Sequence, residues 1–284
     1  MSGKKTTYGR ASAEALRLDH FLAGRCAIAA TIAGMITPPI LHVVENAADL
    51  VSKAADFVVS QSRDAVAKRG RFVIALAGGG TPKPVYDRLA QPEVAREIDW
   101  EKTHVFFGDE RCVPPNDEQS NFRMAREALL ERVPLPEANI HRMLGEIDAE
   151  AAALAYEQEL KRLYRCERPA IDLVLLGIGA DGHTASLFPG TAAVRERERL
   201  VAGQYVDKLG AWRVTMTPVV LDAAREVLFL VEGAGKAAVL QEILEGAYRP
   251  DVLPSQRVQP VAGRVHWLLD QAAAAGLRGS GPAG

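Results

Sequence analysis

The chain has 284 residues, of which 48% are hydrophobic and 25% charged, the composition of a globular protein with a substantial core. Its formal net charge of -2 excludes a global basic field for nucleic acid, so an anionic ligand must be bound by a local cluster of positive groups. Three widely spaced cysteines without a CxxC pair argue against a disulfide framework or a zinc site and indicate a reduced, cytoplasmic protein.

The two ends of the chain differ from its middle. Residues 1–36 contain a short apolar stretch after basic residues, but acidic residues precede it and no clean cleavage site follows. No apolar run approaches the ~20 residues of a membrane-spanning helix, so we expect no membrane partner. We interpret residues 1–36 as a flexible N-terminal extension, 37–278 as one α/β domain and 279–284 as a flexible tail. Whether Met35 is the true start is open.

Strands and helices alternate along the predicted domain. Asn46 is expected to cap a helix that runs to about Lys68. Apolar runs predict strands at residues 41–44, 72–77, 104–107, 171–176, 213–217, 227–231 and 265–269. Further helical patterns lie at residues 82–90, 120–132, 149–165, 218–224 and 234–245. This alternation predicts a mostly parallel, Rossmann-like sheet with helices on both faces, in a single domain.

A glycine-rich loop at residues 77–82 directly follows the predicted buried strand at residues 72–77. Gly79 and Gly80 would let the backbone approach a ligand closely, and Thr81 is a suitable helix N-cap before Pro82. Free N–H groups at such a helix start bind phosphate well. The alternative is a tight turn without a ligand. The loop lacks the lysine pattern of a Walker A motif.

The predicted strand at residues 104–107 is followed at once by three charged residues, Asp109, Glu110 and Arg111. Ionised groups at the end of a buried strand are costly unless they are paired or bind a ligand. Two interpretations are therefore open and compatible: an internal Asp–Arg ion pair that ties down the loop, or contacts to a substrate.

A second glycine-rich turn, at residues 177–190, contains Asp181 and His183. An imidazole takes a proton from water near neutral pH, and a nearby carboxylate can hold it in the right tautomer and orientation. The turn also matches G-x-G-x-x-G, which makes an NAD(P)-binding oxidoreductase a remote alternative. Pro189 follows too soon for the long helix that this fingerprint opens.

Two cations complete the candidate site. Arg213 begins a predicted strand, and Lys236 is predicted in the first turn of a helix. The helix dipole disfavours a cation in the first turn, so Lys236 is best explained by a facing anion. Solvated surface charge is the alternative for each residue taken alone.

Together these segments resemble the 6-phosphogluconolactonase family. The matching stretches, in order, are LAGGGTPKPVY, FFGDERCVPPNDEQSNF, DLVLLGIGADGHTASLFPG, RVTMTP and LVEGAGKA. Related glucosamine-6-phosphate deaminases, or isomerases, carry a glutamate where Phe188 stands here, and tend to have an aromatic residue where Arg111 stands. Both departures favour the lactonase, and the deaminase is kept as the alternative. A non-catalytic sugar-phosphate sensor would have little need for the Asp181–His183 pair.

The resemblance implies hydrolysis of 6-phospho-D-glucono-1,5-lactone to 6-phospho-D-gluconate in the oxidative pentose phosphate pathway, without cofactor or metal. The partner would be this small phosphorylated lactone, and both a monomer and a homodimer are open. We expect His183 to act as general base, Asp181 to orient it and Arg111 to stabilise the oxyanion or bind substrate. The expected substrate- and phosphate-binding residues are Gly79, Gly80, Thr81, Asp109, Arg213 and Lys236.

Overall fold

The computed structural model describes residues 38–278, so the predicted extension at residues 1–36 and tail at 279–284 lie outside the described residues. The strands in this range are β1 (Ile40–Val44), β2 (Phe72–Leu76), β3 (Thr103–Phe107), β4 (Asp109–Arg111), β5 (Leu173–Leu176), β6 (Val201–Val206), β7 (Ala211–Met216), β8 (Glu226–Val231) and β9 (Arg264–Asp270). The helices are α1 (Ala47–Arg69), α2 (Pro82–Leu89), α3 (Pro92–Ala95), α4 (Asn121–Ala128), α5 (Ala149–Tyr164), α6 (Pro218–Leu221), α7 (Ala237–Glu245) and α8 (Gln271–Ala274).

Six strands form one parallel sheet in the order β1-β9-β8-β5-β2-β3. Successive residues of a strand point to opposite faces, and both faces are buried here. On β2, Val73 and Ala75 pack in a core with residues of α5 and α7, whereas Ile74 and Leu76 pack in a second core with α1, α2 and α4. The predicted parallel sheet with helices on both faces is therefore confirmed.

Three further strands form a separate antiparallel sheet in the order β4-β7-β6. β4 begins one residue after β3, with only Gly108 between them, so the second sheet extends from the carboxyl edge of the first. The strand predicted at residues 213–217 exists as β7 but pairs antiparallel in this second sheet. β4 and β6 were not predicted, because β4 consists of three charged residues and β6 contains a glycine and no continuous apolar run.

Most predicted element ends are confirmed. The Asn46 side chain accepts hydrogen bonds from the N–H groups of Ala48 and Asp49, at 2.9 and 3.1 Å, and so caps α1 as expected. The prediction that Thr81 caps α2 is wrong: its backbone is helical, and its side chain makes no capping bond. Lys236 also differs from its prediction, since it ends a short 3-10 turn just before α7.

Candidate active site

Four neighbouring strands of the parallel sheet deliver the candidate residues to one edge. The glycine-rich loop follows β2, the charged segment Asp109–Arg111 follows β3, the turn with His183 follows β5, and Lys236 follows β8. Ligands bind at the carboxyl ends of strands in such sheets. The tertiary structure therefore gathers these segments, which are spread over more than 150 residues of sequence, at the edge where the fold places ligands.

His183 and Asp181 form a hydrogen-bonded pair, with His183 Nδ1 and Asp181 Oδ1 2.5 Å apart. The ring of His183 also stacks on Phe188, with centroids 4.2 Å apart. Gly179 is needed at this point, because a Cβ there would overlap the imidazole. An ionised carboxylate at Nδ1 holds the proton on that nitrogen, which leaves Nε2 as the free acceptor. The pair therefore has the geometry of an oriented general base.

Lys208 binds the aspartate of this pair, a contact that the sequence did not reveal. Its Nζ donates to Asp181 Oδ2 at 2.6 Å, from the turn between β6 and β7. Burial alone would raise the pKa of Asp181, but the hydrogen bonds from Lys208 and His183 outweigh it and hold the pKa of this carboxyl well below its usual value. Asp181 is thus kept ionised next to the imidazole.

Asp109 is held by two residues that sequence reasoning also missed. Ser186 Oγ donates to Asp109 Oδ2 at 2.6 Å, and Asn121 Nδ2 donates to Asp109 Oδ1 at 3.2 Å. A Cβ at Gly78 would overlap the Asn121 carboxamide, so the first glycine of the loop makes room for this contact. Both polar residues belong to the motifs quoted above, but nothing in their spacing points to Asp109.

Glu110 has a structural role. Its buried carboxylate accepts hydrogen bonds from the N–H groups of Asn121 and Phe122, both at 2.8 Å, and from Ser120 Oγ at 3.0 Å. Burial raises the pKa of Glu110, and these bonds oppose the rise. The loop is therefore tied down by Glu110 at the start of α4. Arg111 forms no ion pair in residues 38–278, so of the two open interpretations the internal Asp–Arg pair is wrong.

Two cavities meet at His183. The loop cavity, of about 310 Å³, is bounded by the glycine-rich loop, Asn121 and Lys236. The hairpin cavity, of about 370 Å³, is bounded by Asp181, Phe188, Lys208 and Arg213. The residues that line both cavities are Asp109, Arg111, His183 and Ala185. The general-base candidate thus lies where the two spaces join.

The predicted anion-binding residues divide between these cavities. Gly79, Gly80, Thr81 and Lys236 line the loop cavity, whereas Arg213 lines the hairpin cavity. Lys236 Nζ donates to the carbonyl oxygen of Ile178 at 2.9 Å, which holds the ammonium at the cavity wall. Arg213 and Lys236 therefore line different, adjoining cavities, and their binding of one phosphate stays a prediction.

The glycine-rich loop is open to a ligand. A Cβ at Gly79 or Gly80 would meet nothing within 4 Å, so no neighbouring protein group requires glycine at Gly80. Gly79 has a φ of +100°, which favours glycine. No acceptor for the N–H groups of Gly79 and Gly80 is found in the part of the chain that the structure describes. These donors lie before α2, where an anion is favoured.

The dinucleotide-binding alternative loses support in this geometry. The turn after β5 continues through further turns to a short 3-10 segment at Ala192–Arg195, so no helix opens at Gly182 as a dinucleotide fingerprint requires.

Among the described residues, no group of three or more His, Cys, Asp or Glu side chains is arranged to hold a metal ion. No helix in the same range is long and apolar enough to cross a membrane.

Fold and site together indicate an α/β enzyme with a histidine–aspartate pair where two cavities meet. Residues 45–267 match the family model described as glucosamine-6-phosphate isomerases/6-phosphogluconolactonase, and the chain belongs to this family. A 6-phosphogluconolactonase of Synechocystis sp. is 44% identical over 244 residues, which cover 84% of this chain and 99% of that protein. The human 6-phosphogluconolactonase is 36% identical, over 84% of this chain and 93% of that protein.

Comparison with solved structures agrees with this family assignment. The 6-phosphogluconolactonase of Trypanosoma cruzi superposes with a TM-score of 0.76 at 32% identity, covering 87% of this chain and 99% of that one. A monomeric glucosamine-6-phosphate deaminase gives a TM-score of 0.72 at 21% identity, covering 84% of this chain and 100% of that one. The second likeness shows the shared fold alone.

Proposed function

We propose that this chain hydrolyses 6-phospho-D-glucono-1,5-lactone to 6-phospho-D-gluconate. The observation that carries the proposal is the His183–Asp181 pair, which lies where two cavities with cationic groups in their walls meet. The names of the relatives, which are 6-phosphogluconolactonases, support the choice of substrate. A lactone needs no cofactor for hydrolysis, because its acyl carbon is already electrophilic.

The reaction is acyl transfer to water. His183 Nε2 takes a proton from a water molecule, whose oxygen attacks the C1 carbonyl carbon and forms a tetrahedral oxyanion. Collapse of this intermediate breaks the bond between C1 and the ring oxygen, and the proton held on His183 passes to that oxygen. A positioned general base of this kind contributes about 10²–10⁴ in rate. Asp181 orients the ring and stabilises its protonated form.

The remaining residues bind and polarise the substrate. Arg111 lines both cavities and stabilises the developing oxyanion, an effect worth about 10²–10³ in rate. The N–H groups of Gly79 and Gly80, the Thr81 segment and Lys236 hold the phosphate in the loop cavity. The carboxylate of Asp109 accepts hydrogen bonds from sugar hydroxyl groups. Binding of the remote phosphate positions the carbonyl carbon against the water.

Phe188 favours hydrolysis over deamination at this site. Its ring stacks on His183 at the position where the related deaminases carry a glutamate. A phenyl ring cannot transfer a proton, so the histidine here has no second carboxylate to assist ring opening of an amino sugar. The deaminase activity is therefore the alternative outcome to be measured alongside hydrolysis.

The test is direct. The lactone is generated in situ with glucose-6-phosphate dehydrogenase, and its decay is followed with and without the protein at a pH that slows spontaneous opening. Wild type should accelerate decay, His183→Ala should abolish most of kcat while it stays folded, and Lys236→Ala should mainly raise KM. Folded wild-type protein that does not accelerate decay would refute the proposal, and ammonia release from glucosamine 6-phosphate would then support the deaminase.

A further inference from the structure

The residue that joins β2 to the glycine-rich loop is held by a single side chain. Ala77 lies between the end of β2 and Gly78. Its N–H donates to the hydroxyl oxygen of Tyr86 at 2.9 Å, and the same hydroxyl donates to its carbonyl oxygen at 2.8 Å. A phenol can make both bonds, because its O–H donates while its oxygen accepts. Tyr86 belongs to α2, so one hydroxyl ties the start of the loop to the helix that follows it.

The hydroxyl takes the place of a strand that no longer pairs at this position. Leu76 accepts from the N–H of Gly108 on the β3 side at 2.9 Å, so the polar groups of the next residue, Ala77, point towards β5. Pairing between β2 and β5 ends two residues earlier, at Ala75. Ala77 is buried, and buried N–H and C=O groups without a partner are costly. The Tyr86 hydroxyl satisfies both of them.

The glycine-rich loop has few other anchors. A Cβ at Gly79 or Gly80 would meet nothing within 4 Å, and the N–H groups of both have no acceptor in residues 38–278. The Thr81 side chain makes no capping bond to α2. The loop is therefore fixed at its ends rather than along its length, and the Tyr86 hydroxyl fixes the first end.

Tyr86 can act on a ligand only through this loop. Its side chain is completely buried in the core that α2 shares with α1 and α4, and it lines neither of the two cavities. Ala77, by contrast, lines the loop cavity. Burial raises the pKa of Tyr86 far above its usual value, against the opposing effect of the hydrogen bond from Ala77, so the hydroxyl keeps the proton that it donates.

We infer that Tyr86 is a positioning residue for the phosphate site: its hydroxyl holds the start of the glycine-rich loop so that the N–H groups of Gly79 and Gly80 face one anion. The inference rests on the proposed function in taking the phosphate of the lactone as that anion. A loop already held in its binding geometry loses little conformational entropy when the phosphate binds. Without the hydroxyl the loop populates other conformations, and the apparent dissociation constant rises as the competent fraction falls.

The test removes one oxygen atom. Tyr86→Phe keeps the ring in the core and deletes both bonds to Ala77. The readout is the phosphate preference, defined as kcat/KM for the phosphorylated lactone divided by kcat/KM for unphosphorylated gluconolactone. It should fall about threefold to tenfold, the size of one net hydrogen bond, through a higher KM for the phosphorylated lactone. The kcat should stay within about twofold of wild type, because His183 and Asp181 keep their positions.

Tyr156→Phe is the matched control. The buried Tyr156 hydroxyl holds the end of β3 in the same way: it accepts from the N–H of Phe107 at 2.7 Å and reaches the carbonyl oxygens of Phe107 and His141, at 3.3 and 3.1 Å. This variant should lower the melting temperature as Tyr86→Phe does, since both leave buried backbone groups unpaired. Its phosphate preference should stay within about twofold of wild type, because β3 does not lead into the glycine-rich loop.

Two measurements do not depend on hydrolysis. Calorimetry should show glucitol 6-phosphate, which has the phosphate but no lactone, binding about threefold to tenfold more weakly to Tyr86→Phe than to wild type. In wild type, NMR-detected amide exchange should be slow at Ala77 and rapid at Gly79 and Gly80, and glucitol 6-phosphate should slow the two glycines. The exchange experiment needs no variant, so it tests the inference even if Tyr86→Phe does not fold.

The outcomes separate this inference from the proposed function. An unchanged phosphate preference in folded Tyr86→Phe would overturn the inference and leave hydrolysis intact, as would an equal loss of kcat/KM for both lactones or an equal fall in preference in Tyr156→Phe. Rapid exchange at Ala77, or glycine exchange that the ligand leaves unchanged, would also overturn it. Weaker binding of glucitol 6-phosphate to Tyr86→Phe, in a protein that does not hydrolyse the lactone, would support the positioning role and refute the proposed function.

Discussion

Gly179→Ala is the substitution that most directly tests the geometry of the catalytic turn. A Cβ at Gly179 would overlap Nδ1 and Cε1 of His183 and would lie 2.7 Å from Asp181 Oδ1. Ordinary contacts between such atoms need about 3.5–4.0 Å, so the imidazole must move by about 1.5–2 Å and the carboxylate by about 1 Å. The added methyl group therefore acts on the position of the base without changing its chemistry.

The expected loss is worked from that displacement. A misplacement of about 1 Å already costs about 10² in rate, and the base as a whole contributes about 10²–10⁴, so kcat should fall at least about a hundredfold. KM should stay within about threefold of wild type, because the atoms nearest to the added Cβ belong to His183 and Asp181 and not to the proposed phosphate contacts. Forcing an extra methyl group into a packed site costs about 1–3 kcal/mol of unfolding free energy, which is compatible with a folded protein.

The measurement is steady-state lactone hydrolysis, with thermal unfolding as a check on folding. Gly108→Ala is the matched control, because a Cβ there would meet only Leu76 O at 3.6 Å and Leu176 Cδ2 at 3.9 Å, both ordinary contacts. The control should retain kcat within about twofold. If folded Gly179→Ala keeps the wild-type kcat, then the position of His183 against Asp181 does not limit the reaction, and the reasoning fails.

Two other perturbations test the charges around the site and the sheet. Lys208→Met removes one of the two hydrogen bonds that hold the pKa of Asp181 below its usual value, so that pKa should rise, as followed by NMR titration of the carboxyl group. Lys68→Met is the control, and an unchanged pKa of Asp181 in Lys208→Met would contradict the role of Lys208. The pKa of His104 is lowered to about 4, mainly by burial and to a smaller extent by the neighbouring His141. The contribution of neutral His104 to the free energy of unfolding is therefore complete above about pH 6.5 and is lost as the pH falls towards 4. After allowance for solvent screening the loss should be about 1–2 kcal/mol of unfolding free energy, measured by urea denaturation between pH 7.5 and 4.5. His104→Gln should flatten this slope, and an unchanged slope would contradict the assignment.

The fold class could be predicted because its signals are local. Runs of apolar residues bounded by glycine or charge identified the strands of the parallel sheet, and the Asn46 cap marked where α1 begins. The same reasoning placed the glycine-rich loop, Asp109, His183 and Lys236 at one edge, since parallel strands end together there. The antiparallel sheet was largely missed, because β4 has only three residues, all charged, and β6 lacks a clear apolar period.

The order of residues along the chain was enough to show which residue types stand at the carboxyl ends of the strands, and hence that Asp181 and His183, two positions apart, could pair. The folded chain was needed to show that Lys208 also binds Asp181, that Ser186 holds Asp109 across 77 positions, and that Arg213 faces Arg111. These contacts depend on how separate strands are registered and on where the β6–β7 turn lies over the site. Periodicity along the chain carries no information about either, because the contacts form between segments that meet only after folding.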